Sequence, residues 1–204
     1  MVFVGGATIS LYADKPVMEI RPTDDIDVII EVLNYYDRWL LEEQLRLLGF
    51  SNDIESGIVC RYIIQGIIVD IMPTNDPSIG FKNIWYPDGF AEAIGYQLDE
   101  QNTIKILSPP YFLATKLEAH KGRGKNDGWS SQDFEDIVYV LENRETIWEE
   151  MINASSPVKD YLQSAFSNLL TNSAIFEWID CHVERGYPPA TYFIMDHLKK
   201  FTSV

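Results

Sequence analysis

Apolar residues fall in short runs over the first half of the chain and at helical spacing over the second. Val2-Phe3-Val4 is a short apolar run that stops at Gly5-Gly6, which predicts a strand, a turn and a helix over 7–12. Residues 15–24 hold two prolines and read as loop. Ile26 to Val32 is rich in β-branched residues and predicts a buried strand. Leu40, Leu41, Leu45 and Leu48 place a helix over 35–48, with Gly49 as its left-handed stop. Ile58–Ile64 and Ile67–Met72 predict a hairpin around Gln65-Gly66, closed by Pro73. A short helix over 87–95 follows, then a second hairpin of 96–98 and 103–107.

From Ser108 the pattern turns helical, with Ser108 as N-cap and Pro109 at the first helical position. Helices are expected near 109–122, 131–143, 144–153, 157–170, 173–184 and 189–201. There is no internal repeat. The fold class is therefore α/β in the α+β sense: a mixed sheet with flanking helices over 1–108, followed by a helical domain over 109–204.

Composition narrows the function classes. A chain of 204 residues, 46% of them hydrophobic, buries enough surface to fold without a disulfide or metal staple. Cys60 and Cys181 are far apart and read as two free thiols. The start lacks a basic, long-apolar leader, and no stretch is long enough to span a membrane, so a soluble, cytoplasmic protein with no membrane partner is expected. The formal net charge of -15 opposes broad, non-specific binding to phosphate backbones. Lys116, Lys121, Arg123 and Lys125 form one local basic segment, for which a solvated face is the simpler reading.

Chemistry is suggested by three aspartates. Asp25 and Asp27 stand two apart on an expected strand, so both carboxylates point to one face. Asp70 lies in Ile67-Ile68-Val69-Asp70-Ile71, where an unpaired carboxylate is costly to bury. Like charges brought together need protonation or a cation, and hard divalent ions prefer such oxygen donors. Gly5-Gly6 would let the backbone approach a phosphate closely. Each feature alone is weak: Gly-Gly is usually a turn, and Asp-x-Asp is usually a solvated strand end.

Val4-Gly5-Gly6-Ala7, Arg21-Pro22-Thr23-Asp24-Asp25-Ile26-Asp27-Val28 and Val69-Asp70-Ile71 together resemble the DNA polymerase β-like nucleotidyltransferase superfamily. The Arg-x-Thr-x-Asp-Ile-Asp form looks like its AbiEii/AbiGii-type group, many of which are toxins of toxin–antitoxin systems. The resemblance reaches Lys116 and Asp133-Phe134-Glu135-Asp136 and covers positions 3 to 144. It implies a nucleotidyltransferase-type sheet, with the metals (Mg²⁺ or Mn²⁺) on Asp25, Asp27 and Asp70. It implies nucleotide binding by Gly5, Gly6, Arg21, Thr23, Lys116, Asp133 and Asp136. The implied donor is an NTP; the implied acceptor is tRNA or another RNA, a protein, or a small molecule; the implied partner is an antitoxin protein. Family members usually carry a helix ahead of the glycine-bearing strand, and this sequence begins almost at that strand.

Simpler readings stand beside these roles. Lys116 is flanked at i−3 and i+3 by Leu113 and Ala119, so a salt bridge to Asp133 or Asp136 competes with the phosphate role, which is the one favoured. Asp133 and Asp136 share a helix face and could be ordinary N-terminal acidic residues. Arg21 serves equally well to neutralise the carboxylates or to meet phosphates. His120, His182 and His197 lack metal-ligand spacing, and Gly122-Arg123-Gly124-Lys125 lacks the Walker pattern. The alternative to an enzyme is a non-catalytic module of the same fold that binds a nucleotide or a partner.

Overall fold

The computed structural model describes residues 1–14, 21–32, 35–74, 83–124, 127–185 and 190–203. Expectations that fall on residues 15–20, Lys125 and residue 189 lie outside the described residues. The chain forms two compact units. One comprises Met1–Thr8 and Arg21–Ser108; the other comprises the described residues of Ile9–Ile20 and Pro109–Val204. The fold is α+β, with one mixed sheet and a set of helices.

In the first unit, seven strands among the described residues pair in the order β3-β4-β5-β2-β1-β7-β6. They are β1 (Val2–Val4), β2 (Asp25–Ile30), β3 (Ser51–Asn52), β4 (Arg61–Ile64), β5 (Ile67–Pro73), β6 (Ile94–Gln97) and β7 (Thr103–Ile106). Parallel contacts join β2 to β5 and β1 to β7, and the other pairings are antiparallel. Helix α1 (Tyr35–Leu47) supplies Leu45 and Leu41 to a core with Val28, Tyr62, Val69 and Ile71 from the sheet. Gly49 follows α1 with φ of 92°, as a left-handed stop requires. Gln65 and Gly66 both have positive φ, 51° and 82°, the signature of a two-residue turn whose twist matches its strands.

Several boundaries differ from the sequence reading for identifiable reasons. Residues 6–12 form a 3-10 helix, one residue earlier than the helix expected over 7–12, and Thr8 closes back onto the Gly5 carbonyl three residues away. Strand β4 begins at Arg61, because residues 58–61 make a turn in which the Arg61 amide donates to the Ile58 carbonyl. Strand β3 is two exposed polar residues with no apolar signature. Helix α2 is shorter than expected, Tyr86–Ala91, since Ile94 already belongs to β6.

The second unit holds α3 (Pro109–Arg123), α4 (Gln132–Asn143), α5 (Ile147–Asn153), α6 (Ser156–Leu170), α7 (Ile175–Asp180) and α8 (Ala190–Thr202). Helix α3 is buried on nearly every side, from Pro109 through Leu117, so it forms the centre of this unit. Phe112, Leu113, Val138, Met151, Leu162 and Ile194 are fully enclosed. The Tyr12 ring packs on Phe112 with centroids 4.4 Å apart, and Arg144 Nη1 donates to the Tyr12 carbonyl at 3.3 Å. No helix among the described residues is long and apolar enough to cross a membrane.

Candidate active site

In the sheet, Asp27 of β2 is the Cα partner of Asp70 on the parallel strand β5. Directly opposed residues on neighbouring strands point to the same side, and Asp25 precedes Asp27 by one full pleat. All three carboxylates therefore rise from one face. Val28, Val69 and Ile71 point to the other face, into the core under α1.

Gly5 fixes the edge of this site in two ways. Its φ of 73° is a left-handed conformation that suits glycine. A Cβ at this position would also collide with the Asp27 carboxylate. The amide and hydroxyl of Thr8 both donate to the Gly5 carbonyl, at 3.3 and 2.9 Å, and lock the turn. Gly6 opens the 3-10 helix. Arg21 and Thr23, both half-buried, lie on the approach to β2.

Sequence reasoning missed one member of the constellation. Arg61 of β4 is the Cα partner of Asp70 across the hairpin. Its Nε and Nη2 donate to the two oxygens of Asp70, each at 2.8 Å, and Nη2 also donates to Asp25 Oδ2 at 3.4 Å. This is the bidentate fork that matches a carboxylate best. The hydrogen bonds to Asp70 hold the guanidinium above its usual range, against the effect of its burial. The arrangement explains how Asp70, 8% exposed, is tolerated among apolar neighbours. The signal was available in the sequence: a turn at Gln65-Gly66 pairs Ile64 with Ile67, and three steps outward on each strand reach Arg61 and Asp70. Next to Arg61, burial and then the Asp70 charge push the Cys60 thiol up, so it is a poor nucleophile.

The remaining candidates gather within the second unit. Lys116 Nζ lies 2.6 Å from Asp136 Oδ2 and 3.3 Å from Asp133 Oδ1. Arg123 adds a second fork to Asp133, with both contacts at 2.7 Å. Burial raises the Asp133 carboxyl, but Arg123 and Lys116 outweigh it and hold the group below its usual range. Lys116, Asp133 and Asp136 are all buried, so the geometry here is that of the salt bridge weighed against the phosphate role. His120 shares a 2.8 Å hydrogen bond with Ser131, the N-cap of α4, and burial lowers its pKa.

No family model and no curated protein matches this chain. Among solved structures, it is similar to an antigenic nucleotidyltransferase-like protein from Paracoccidioides brasiliensis, with a TM-score of 0.49 and 19% identity. That alignment covers 90% of this chain and 85% of the other.

The donor set of the sheet site suits a hard divalent cation in its chemistry, being three carboxylates on one face. Its arrangement is another matter. Among the described residues, no three His, Cys, Asp or Glu side chains are gathered as a metal would need them. Among the described residues, Asp25 and Asp70 share the guanidinium of Arg61.

Proposed function

We propose that the first unit carries a metal-assisted nucleotidyl-transfer site, moving a nucleoside monophosphate from an NTP to an acceptor hydroxyl. The observation that supports it most is the pairing of Asp27 with Asp70, with Asp25 on the same face and Gly5 packed against Asp27. A bound Mg²⁺ or Mn²⁺ would neutralise the phosphates and acidify the acceptor hydroxyl. Asp25, Asp27 and Asp70 would hold it, and Asp70 would also take the acceptor's proton. The Gly5-Gly6 turn, with no side chain in the way, would let backbone amides approach a phosphate. The fixed strand pairing supplies the positioning that such chemistry depends on.

A second reading has its own observation. Arg61 satisfies Asp70 with two hydrogen bonds and reaches Asp25, so the site is stable without turnover and would serve a nucleotide- or partner-binding module.

One assay separates the two. The chain is incubated with Mg²⁺ and each of the four α-labelled NTPs, against total RNA, total protein, small-molecule alcohols and itself. Label on any acceptor supports transfer. Label on tRNA, another RNA or a protein supports the toxin form, with an antitoxin protein as partner, and label on a small molecule supports a modifying enzyme. Nucleotide binding without label in every arm supports the binding module.

A further inference from the structure

We infer that Arg61 is a built-in occupant of the carboxylate site, which a divalent cation has to displace before it can bind. The inference rests on the metal-assisted reading and adds a threshold to it. Strand order is the first argument. Arg61 sits on β4, Asp70 on β5 and Asp25 on β2, so the side chain crosses the whole width of β5 to reach Asp25. An arginine serving Asp70 alone would not need that reach. The same nitrogen, Nη2, touches Oδ2 of both residues, at 2.8 and 3.4 Å, so the guanidinium stands between two of the three proposed metal ligands.

The second argument is competition. Both oxygens of Asp70 are engaged by one fork. A magnesium ion needs oxygen ligands at about 2.0–2.1 Å, which places it within a few ångströms of any guanidinium still bound to them. Like charges at that range repel, so the two cations exclude each other. The third argument is access. The Arg61 side chain is 19% exposed, Asp70 12% and Asp25 37%, so the guanidinium is open to solvent on its Asp25 side. The surroundings therefore allow exchange, unlike a sealed ion pair.

The test reads metal binding rather than turnover. Free Mn²⁺ is titrated by electron paramagnetic resonance against the full chain, Arg61→Gln and Arg46→Gln. Arg46→Gln removes the same charge from an exposed pair with Glu43 on α1. Asp27→Asn gives the background of this acidic surface. We expect Arg61→Gln to bind Mn²⁺ about tenfold more tightly than the parent, from loss of one adjacent like charge, with Arg46→Gln unchanged. Equal affinity in the parent and Arg61→Gln overturns the inference and leaves the metal site standing. An equal rise in both arginine variants overturns it as a general charge effect. No binding above the Asp27→Asn background in any form overturns the metal reading and this one together. Should Arg61→Gln fail to fold, Arg61→Met removes the same charge and keeps an apolar stem, and it too must bind more tightly than the parent or the inference fails.

Discussion

Two clusters of charge, one in each unit, differ in how their cations are shared. In the second unit, Asp133 receives two cations, Lys116 and Arg123, and Lys116 is shared with Asp136. The side chains of Lys116, Asp133 and Asp136 are only 8, 5 and 3% exposed. In the first unit the sharing is reversed: one guanidinium serves Asp70 and Asp25, and Asp25 is 37% exposed. The carboxylates of the second unit's cluster are enclosed and are met by Lys116, itself enclosed, and by Arg123, 63% exposed. A half-open cluster, where carboxylates share a cation on a rigid sheet, can exchange that cation for another. On the function proposed above, the cluster of the second unit is an ion pair that maintains the fold and that of the first unit is one that a ligand can enter.

The sharpest way to break this comparison is to remove one cation from each cluster. Lys116→Met leaves two buried carboxylates short of a partner and is expected to cost about 3–5 kcal/mol. Arg61→Gln takes the fork from one largely buried carboxylate, Asp70, 12% exposed, and is expected to cost less, about 2 kcal/mol. Urea denaturation of both variants checks the order. If Lys116→Met keeps parental stability and loses NTP affinity instead, the phosphate role of Lys116 is the right one and the contrast is lost.

A smaller effect is expected at the glycines. Gly5 and Gly49 both have positive φ, but a Cβ on Gly49 meets nothing within 4 Å, whereas one on Gly5 strikes Asp27. Gly49→Ala should cost about 1 kcal/mol, the strain of the conformation alone. Gly5→Ala should cost clearly more and displace the Asp27 carboxylate. Equal losses in thermal melts would mean that the turn is not pressed against the site.

How far the sequence reveals all this depends on the kind of signal. Apolar periodicity marks α1, β2, β5 and the six C-terminal helices to within a few residues, because packing of buried side chains sets those elements. It is silent on β3, two exposed polar residues held only by backbone pairing with β4. It places 7–12 in a helix without telling 3-10 from α, a matter of turn geometry. The aspartates were legible because strand alternation is strict. Arg61 is legible only indirectly, once the register of the Gln65-Gly66 hairpin is followed outward to Asp70. Lys116 was legible as a buried lysine needing a partner. The sequence alone does not rank a phosphate above Asp133 and Asp136.

The smallest expected effect concerns acid sensitivity of the second unit. Burial lowers the His120 pKa, so folding favours its neutral form. That contribution is complete above the ordinary value of about 6.5 and is lost as pH falls through the lowered pKa. The urea midpoint of the parent should therefore decline below pH 6.5, and His120→Gln should flatten that decline. Parallel curves for the two proteins would remove His120 from the account.

The central claim is that Asp27 belongs to a working transfer site rather than to a strand end. Asp27→Asn keeps the size of the side chain and removes one negative charge. Its effect is read as initial rates of label transfer from α-labelled NTP, beside the melting temperature of the same preparation. Losing about 4 kcal/mol of transition-state stabilisation slows transfer roughly a thousandfold. We predict that loss, together with a melting temperature no lower than the parent's. Parental transfer rates in Asp27→Asn would contradict the account.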